Sequence, residues 1–282
     1  MSRLTIENLS LGQEPAGAEP CGVNRRDALK AGLTFTIGSL FVYAFQRPGD
    51  ALADGQAAGT AKGSKGKALF PPGDHWYGYA VDTTKCIGCG ACARACKAEN
   101  NVPDGYYRTW VERYTITEDR KVIVDSPLGA LKGFGPDPDT GGKKIEKSFF
   151  VPKLCNHCES SPCVQVCPVG ASYMSPEGIM LVDREHCVGC GYCVQACPYG
   201  SRFLDPVHGW ADKCTLCYHR ITKGLAPACV ESCPVGARTY GDLRDPKSAV
   251  RKLIGTSRYK VIKPELGTRP KCYYIGLDEE VR

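Results

Sequence analysis

The stretch Cys86-Ile87-Gly88-Cys89-Gly90-Ala91-Cys92-Ala93-Arg94-Ala95-Cys96 decides how this chain is read. Its spacing, C-x2-C-x2-C-x3-C, puts three thiols on one short loop and carries a fourth away from it. A cube of four irons and four sulfides needs thiolates at four corners. A run of this kind supplies three to one cube, while its fourth cysteine ligates a second, partner cube. The pattern recurs along the chain. Cys187, Cys190, Cys193 and Cys197 repeat it; Cys155, Cys158, Cys163 and Cys167 widen one gap to four residues; Cys214, Cys217, Cys229 and Cys233 widen one to eleven, residues 218–228. Sixteen of the 18 cysteines are used, leaving Cys21 and Cys272. Pro168, Pro198 and Pro234 follow the last cysteine of three groups, where a fixed φ and a missing N–H turn the chain away from the cube. Lys97 stands there in the first group, which leaves that turn less defined. Four [4Fe–4S] clusters are expected.

Three other chemistries compete for the same residues. Structural zinc takes four ligands, often from two C-x2-C knuckles, but three cysteines within seven residues, then a fourth and a proline, fit a cube better. A disulfide scaffold is the second; at 282 residues the chain can bury a core without covalent staples. The third, S-adenosylmethionine radical chemistry, needs a lone three-cysteine site with an open iron, and the sequence shows none.

Hydrophobic residues make up 43% and charged residues 23%, an ordinary globular balance. The formal net charge of +6 would suggest nucleic acid or an anionic membrane, but that count omits the clusters. A cube with its thiolates carries about −2 when oxidised, so four contribute on the order of −8. Lys85, Arg94, Lys97, Lys213, Arg220 and Lys223 lie close to ligands in sequence and read as local compensation, so no nucleic-acid partner is expected.

Near the N-terminus, Asn24-Arg25-Arg26-Asp27-Ala28-Leu29-Lys30 precedes an uncharged, mostly apolar run over residues 31–46 and then Ala51-Leu52-Ala53. A basic region, an apolar region and a small-x-small site in this order read as an export signal, and the paired arginines make it a twin-arginine signal. About 20 apolar residues are needed to span a bilayer, and Gly32, Thr34, Thr36, Gly38 and Ser39 interrupt this run. A signal over residues 1–53, cleaved near Ala53, is therefore expected, with an uncleaved anchor as the alternative. Folded export suits the cysteines: free thiols sent unfolded into an oxidising periplasm would mispair before iron arrived.

Residues 54–74 read as a flexible Gly/Ala/Ser/Lys linker. The structured domain is placed at residues 75–245, with an insert over 97–154 and a C-terminal extension over 246–282. Tyr77-Gly78-Tyr79-Ala80-Val81-Asp82 reads as a strand entering the first cysteine loop, and Gly178-Ile179-Met180-Leu181-Val182-Asp183 does the same before the third. Strand, aspartate, cysteine loop and short helix form an internal repeat, with helices expected around residues 91–98, 164–166, 194–196 and 230–232. Within the insert, residues 108–114 and 121–124 have strand-like content and 133–142 is a Gly/Pro/Asp loop. Nineteen residues separate Cys167 from Cys187 and sixteen separate Cys197 from Cys214. The compact spacing suggests that the second group pairs with the third, leaving the first and fourth to pair outside them, though spacing alone also allows the third to pair with the fourth.

Phe150-Val151-Pro152-Lys153-Leu154-Cys155-Asn156-His157-Cys158, Cys167-Pro168-Val169-Gly170-Ala171, Cys187-Val188-Gly189-Cys190-Gly191-Tyr192-Cys193, Ala196-Cys197-Pro198-Tyr199-Gly200, Lys213-Cys214-Thr215-Leu216-Cys217 and Pro227-Ala228-Cys229-Val230-Glu231-Ser232-Cys233-Pro234 resemble the four-cluster electron-transfer (beta) subunits of respiratory oxidoreductases. That family includes subunits of dimethyl sulfoxide, polysulfide and tetrathionate reductases, formate dehydrogenase and one type of membrane-linked hydrogenase, and the resemblance spans residues from about 76 to 245. It implies an α+β fold of two nested ferredoxin-like units, each holding two [4Fe–4S] clusters, with loop-rich insertions. It also implies crossed ligation: Cys86, Cys89 and Cys92 with Cys233; Cys214, Cys217 and Cys229 with Cys96; Cys155, Cys158 and Cys163 with Cys197; Cys187, Cys190 and Cys193 with Cys167. Some relatives replace a third-group cysteine by tryptophan and hold three irons; Cys193 is present here, so four full cubes are expected.

The sequence shows no P-loop, no dinucleotide fingerprint outside the cysteine loops and no nucleophile with its base, so a non-catalytic electron carrier is expected. His157 stands between two ligands in a group already supplied with four sulfurs, and is expected to hydrogen-bond or pack. Cys272 is expected to be a buried small residue. The resemblance implies two partners: a catalytic, molybdopterin-dependent subunit and an integral-membrane, quinone-reactive subunit. The tail, residues 269–282, is too short in apolar content to span, so a periplasmic protein attached to the membrane through partners is expected. A free-standing periplasmic polyferredoxin and a hydrogenase-linked electron-transfer subunit are the alternatives.

Overall fold

The computed structural model describes residues 74–281; the expected signal, nearly all of the linker and Cys21 lie outside the described residues. In chain order the first elements are β1 (Tyr77–Asp82), α1 (Ala91–Asn100), β2 (Thr109–Thr117), β3 (Val122–Asp125), β4 (Ile145–Leu154), α2 (Pro162–Gln165), β5 (Ser172–Met174) and β6 (Met180–Val182). They are followed by α3 (Tyr192–Gln195), β7 (Arg202–Leu204), β8 (Ala211–Lys213), α4 (Tyr218–Ile221), α5 (Ala228–Glu231), β9 (Arg238–Asp242), α6 (Ala249–Thr256), β10 (Tyr259–Lys260) and β11 (Cys272–Ile275). Small sheets joined by short helices make the fold α+β.

β1 shows five consecutive buried residues rather than an alternation, because it is an interior strand of a sheet ordered β10-β11-β1-β9 and is covered on both faces. It runs antiparallel to β9, with Val81 opposite Arg238 and Tyr77 opposite Asp242, and parallel to β11, with Tyr79 opposite Cys272. β1 enters the first cysteine loop and β9 leaves the fourth, so this pairing brings the two ends of the cysteine array together. Residues 246–282, set apart in sequence as an extension, supply β10 and β11 to this sheet and the helix α6. Ser248 caps α6, its hydroxyl accepting from Arg251 N–H at 3.3 Å. Cys272 is 1% exposed at the start of β11.

The insert folds as a second sheet, β3-β2-β4, with Thr109 opposite Leu154 and Arg113 opposite Phe150. β4 was not evident in sequence, since Glu146, Lys147 and Lys153 dilute its apolar content and Pro152 interrupts it. Proline is tolerated because β4 is an edge strand, where a ladder donor can be missing. Val111 and Val151 are almost fully buried in the core that β2 and β4 share with β1; each such side chain contributes about 1.5–3 kcal/mol. β4 runs directly into Cys155, so the insert serves as the entry strand of the second cysteine loop. Two hairpins, β5-β6 and β7-β8, join the second loop to the third and the third to the fourth. Among the described residues, no helix is long and apolar enough to cross a membrane.

Candidate iron–sulfur centres

All four cysteine loops share one backbone feature. The residue before the second cysteine is left-handed in each: Gly88 (φ 69), His157 (φ 44), Gly189 (φ 69) and Leu216 (φ 55). This conformation is open to glycine and strained for other residues, so two loops meet it with glycine and two impose it on a larger side chain. It turns the amide toward the first cysteine: Leu216 N–H donates to Cys214 Sγ at 3.4 Å, and Gly88 N–H does the same to Cys86. At the other end, Ser172 N–H donates to Cys167 Sγ at 3.4 Å and Ala237 N–H to Cys233 Sγ at 3.2 Å. Fixed N–H donors aimed at sulfur favour its anionic, metal-bound form.

The structure gathers the predicted ligands by site. Cys86, Cys89, Cys92 and Cys233 line one cavity, with Val111, Pro152 and Arg238. Cys96, Cys214, Cys217 and Cys229 line another, with Asn100, Arg108, Thr109 and Leu154. Cys155, Cys163 and Cys197 are the thiols that act electrostatically on Cys158. Cys193 and Cys187 pack with Cys163 around Ala211, whose N–H reaches Cys187 Sγ at 3.3 Å. Cys190 alone among these residues is exposed. Among the described residues, no group of three or more His, Cys, Asp or Glu is placed to hold a single metal ion.

Burial raises the Cys86 thiol to about 11 and the Cys158 thiol to about 12, and lifts Cys96 and Cys214 as well. A thiol in such a place stays protonated until a cationic centre displaces the proton. The surroundings fit that centre. Lys213, Arg202 and Arg238 are each 5% exposed or less, and among the described residues none of the three pairs with a carboxylate. One guanidinium nitrogen of Arg202, Nη2, is buried without a hydrogen-bond partner. Buried cations without carboxylates need another anion nearby, and the groups that favour their charge are cysteine sulfurs, Cys155 and Cys214 at Lys213, Cys163 and Cys155 at Arg202, and Cys92 and Cys229 at Arg238. The compensating charge thus differs from the sequence expectation. Of the six cations singled out there, Lys213 is buried among sulfurs, whereas Arg220 pairs with Glu99 and Glu231, Lys97 with Asp104 and Lys85 with Asp82. Arg202 and Arg238 were missed because each lies outside its cysteine group, on the strand that follows it.

The Lys97 departure has a structural consequence. Where proline follows the last cysteine, the loop helix is a single turn of four residues, as in α2, α3 and α5; α1 continues through Lys97 to ten residues. Lys97 Nζ donates to the carbonyls of Val102 (3.0 Å) and Pro103 (2.6 Å), which closes the end of the helix. The added turn brings Asn100 to the second cavity, where Nδ2 stands 3.6 Å from Cys96 Sγ and 3.8 Å from Cys217 Sγ. Asn100 Oδ1 accepts from Arg108 Nη1 at 2.9 Å, and Arg108 is held by Asp212 through two hydrogen bonds of 2.9 and 2.8 Å. His157 is buried and uses Nδ1 to accept from Met180 N–H at 3.0 Å. Burial first, then the charges of Lys213, Lys271 and Arg202, keep its imidazole neutral, with a pKa well below the usual range.

Two family models described as 4Fe–4S dicluster domains match the sequence, one over residues 85–171 and the other over residues 146–243. The protein is 42% identical to a tetrathionate reductase subunit of Salmonella typhimurium, over 73% of its own length and 74% of that relative. It is 48% identical to the corresponding tetrathionate reductase subunit of Archaeoglobus fulgidus, over 71% and 82% of the two proteins. With a polysulfide reductase subunit of Wolinella succinogenes the identity is 39%, over 71% and 93%.

Proposed function

This protein belongs to the family of four-cluster [4Fe–4S] subunits of oxidoreductases such as the tetrathionate and polysulfide reductases, and from that premise we propose that it carries electrons between a catalytic, molybdopterin-dependent subunit and a quinone-reactive membrane subunit. Four [4Fe–4S] clusters, matching the two dicluster domains, supply one-electron chemistry when bound. The chain itself contributes thiolates, aimed N–H groups, buried cations and the exclusion of water. In this reading it has no catalytic residue of its own.

The observation that carries the proposal is the sharing of cavities between distant loops. The first cavity takes three sulfurs from the first group and one from the last, and the second takes three from the last group and one from the first. This supports the crossed ligand sets that the resemblance implies, with Cys86, Cys89, Cys92 and Cys233 in one set and Cys214, Cys217, Cys229 and Cys96 in the next. Cys155, Cys158, Cys163 and Cys197 form a third set, and Cys187, Cys190, Cys193 and Cys167 a fourth. The two units are then nested, the first and last groups outside and the second and third inside. Exposed Ile87, Val188, Tyr192 and Val207 beside the cysteine loops favour burial against partner subunits over free diffusion.

Serine variants test the ligand sets by electron paramagnetic resonance. Cys86→Ser and Cys233→Ser are expected to alter one and the same signal, and Cys96→Ser and Cys214→Ser another. If Cys86→Ser and Cys96→Ser altered the same signal, crossed ligation would be refuted. Purification from the native membrane tests the role: a complex with two further subunits supports it, and a soluble monomer points to a diffusing polyferredoxin. We also place the protein in the periplasm, delivered folded by Arg25-Arg26. Changing both to lysine should leave loaded protein in the cytoplasm, and unchanged export would remove that part of the proposal.

A further inference from the structure

Arg202 and Arg238 occupy equivalent places in the two halves of the molecule. Each lies five residues after the final cysteine of its loop, Cys197 and Cys233, and each is the first residue of the strand that follows, β7 and β9. Each donates to a hydroxyl on the first residue of the strand leaving the other loop of its pair. Arg202 Nη1 reaches Ser172 Oγ at 2.8 Å, at the start of β5. Arg238 Nη2 reaches Thr109 Oγ1 at 2.9 Å, at the start of β2. Thr109 Oγ1 also donates to Lys153 O at 2.6 Å, which fixes a lone pair toward the guanidinium.

These contacts set each arginine between two centres. Arg238 lines the cavity of Cys86, Cys89, Cys92 and Cys233, while its partner Thr109 lines that of Cys96, Cys214, Cys217 and Cys229. Its Nη1 also stands 3.3 Å from Tyr79 Oη, which is 3.4 Å from Cys229 Sγ. In the other half, Ser172 links Arg202 to Cys167 through its own N–H, and the sulfurs acting on Arg202 are those of Cys163, Cys155 and Cys193. The contrast with other buried arginines is informative: Arg108 and Arg113 pair with Asp212 and Asp125. Among the described residues no carboxylate pairs with Arg202 or Arg238.

We propose that Arg202 and Arg238 are paired tuning residues, each holding one fixed positive charge between two [4Fe–4S] centres and raising the reduction potentials of both together. The inference rests on the ligand sets proposed above. Reduction adds one electron, hence one negative charge, to a centre, and a guanidinium neither gains nor loses a proton in the process. A cation shared by two centres stabilises the reduced form of each, and burial leaves that effect little screened. Because both potentials rise together, the difference between the two centres is kept while both move relative to their electron donors and acceptors.

The test is a potentiometric titration of the purified, loaded protein followed by electron paramagnetic resonance, with iron and sulfide counted in each variant. Wild type should hold about sixteen irons and titrate as four one-electron components; failure here would sink the cluster reading and is distinguishable from failure of the inference. In loaded Arg238→Gln, two components should move to lower potential and two should stay; in Arg202→Gln the complementary two should move. Shifts spread over all four components, or none in fully loaded protein, would overturn the proposal. Where a glutamine variant fails to load, Arg238→Lys and Arg202→Lys carry the test. They keep the charge, so any change must be confined to the same two components, and a change in all four overturns it.

Discussion

Replacing Arg108 by methionine isolates the buried pair that ties the insert to β8. Arg108 and Asp212 have side chains 3% and 7% exposed and share two hydrogen bonds. Removing one member of a buried ion pair costs about 3–5 kcal/mol because the other charge is left unpaired. Arg184 stands 3.8 Å from Asp212 with half its side chain exposed, so it offers partial replacement and the lower figure, about 3 kcal/mol, applies. Losing the hydrogen bond to Asn100 Oδ1 adds about 1 kcal/mol. The sum is roughly 4 kcal/mol, or a fall of roughly 8–16 °C in the unfolding midpoint for a protein of this size. Arg108→Met combined with Asp212→Leu removes both charges, leaving a cost of about 1 kcal/mol, or roughly 2–4 °C. The assay is anaerobic thermal unfolding of loaded protein at one scan rate, read by circular dichroism and by the visible absorbance of the clusters. A double variant no more stable than Arg108→Met would refute the claim that the cost comes from a stranded charge.

Four other substitutions separate effects that the sequence presents as equal. Gly90 and Gly191 hold the same place in the repeat and both are left-handed, but a Cβ at Gly90 would lie 1.6 Å from the Ala130 carbonyl oxygen, whereas at Gly191 the nearest atom is Leu204 Cδ1 at 3.8 Å. Gly90→Ala should therefore lose one cluster's worth of iron, while Gly191→Ala should load fully and lose only about 1 kcal/mol; equal iron contents would contradict this. Leu216→Gly relieves a left-handed leucine, worth about 1 kcal/mol, but empties a site 3% exposed, worth about 3 kcal/mol; a net loss near 2 kcal/mol is expected in thermal unfolding, and a gain would show that strain dominates. Lys97→Pro should cost about 3 kcal/mol by breaking α1 and should lower the potential of the centre next to Asn100 alone, since the amide N–H groups near Cys96 and Cys217 are displaced; an unaltered redox titration would show that Asn100 does not tune it.

The cysteine spacing alone carried the cofactor and its number, because the geometry of a cube constrains a short loop strongly. It also located β1 to the residue, since that strand abuts the loop. The missed elements have physical causes. β4 is charged and contains a proline that only an edge position admits. The helix α4 lies inside the eleven-residue gap of the fourth group, where the spacing read only as an insertion. α1 runs two residues past its expected end, a difference within the usual uncertainty of helix boundaries.

What the sequence determined, then, was local: four loops, the thiols on each, and the turn that follows three of them. Which loops meet depends on contacts between residues far apart in the chain, and spacing left two pairings open. Tertiary structure pairs β1 with β9 and puts sulfurs from the first and last groups around shared cavities, which is what supports the nested pairing proposed above. It also decided the electrostatics. Six lysines and arginines near the cysteines looked equivalent in sequence, yet carboxylates neutralise three of them and Lys213 is buried among sulfurs, where Arg202 and Arg238, outside the cysteine groups in sequence, join it. Charge acts through distance and burial, and neither is written in the order of residues.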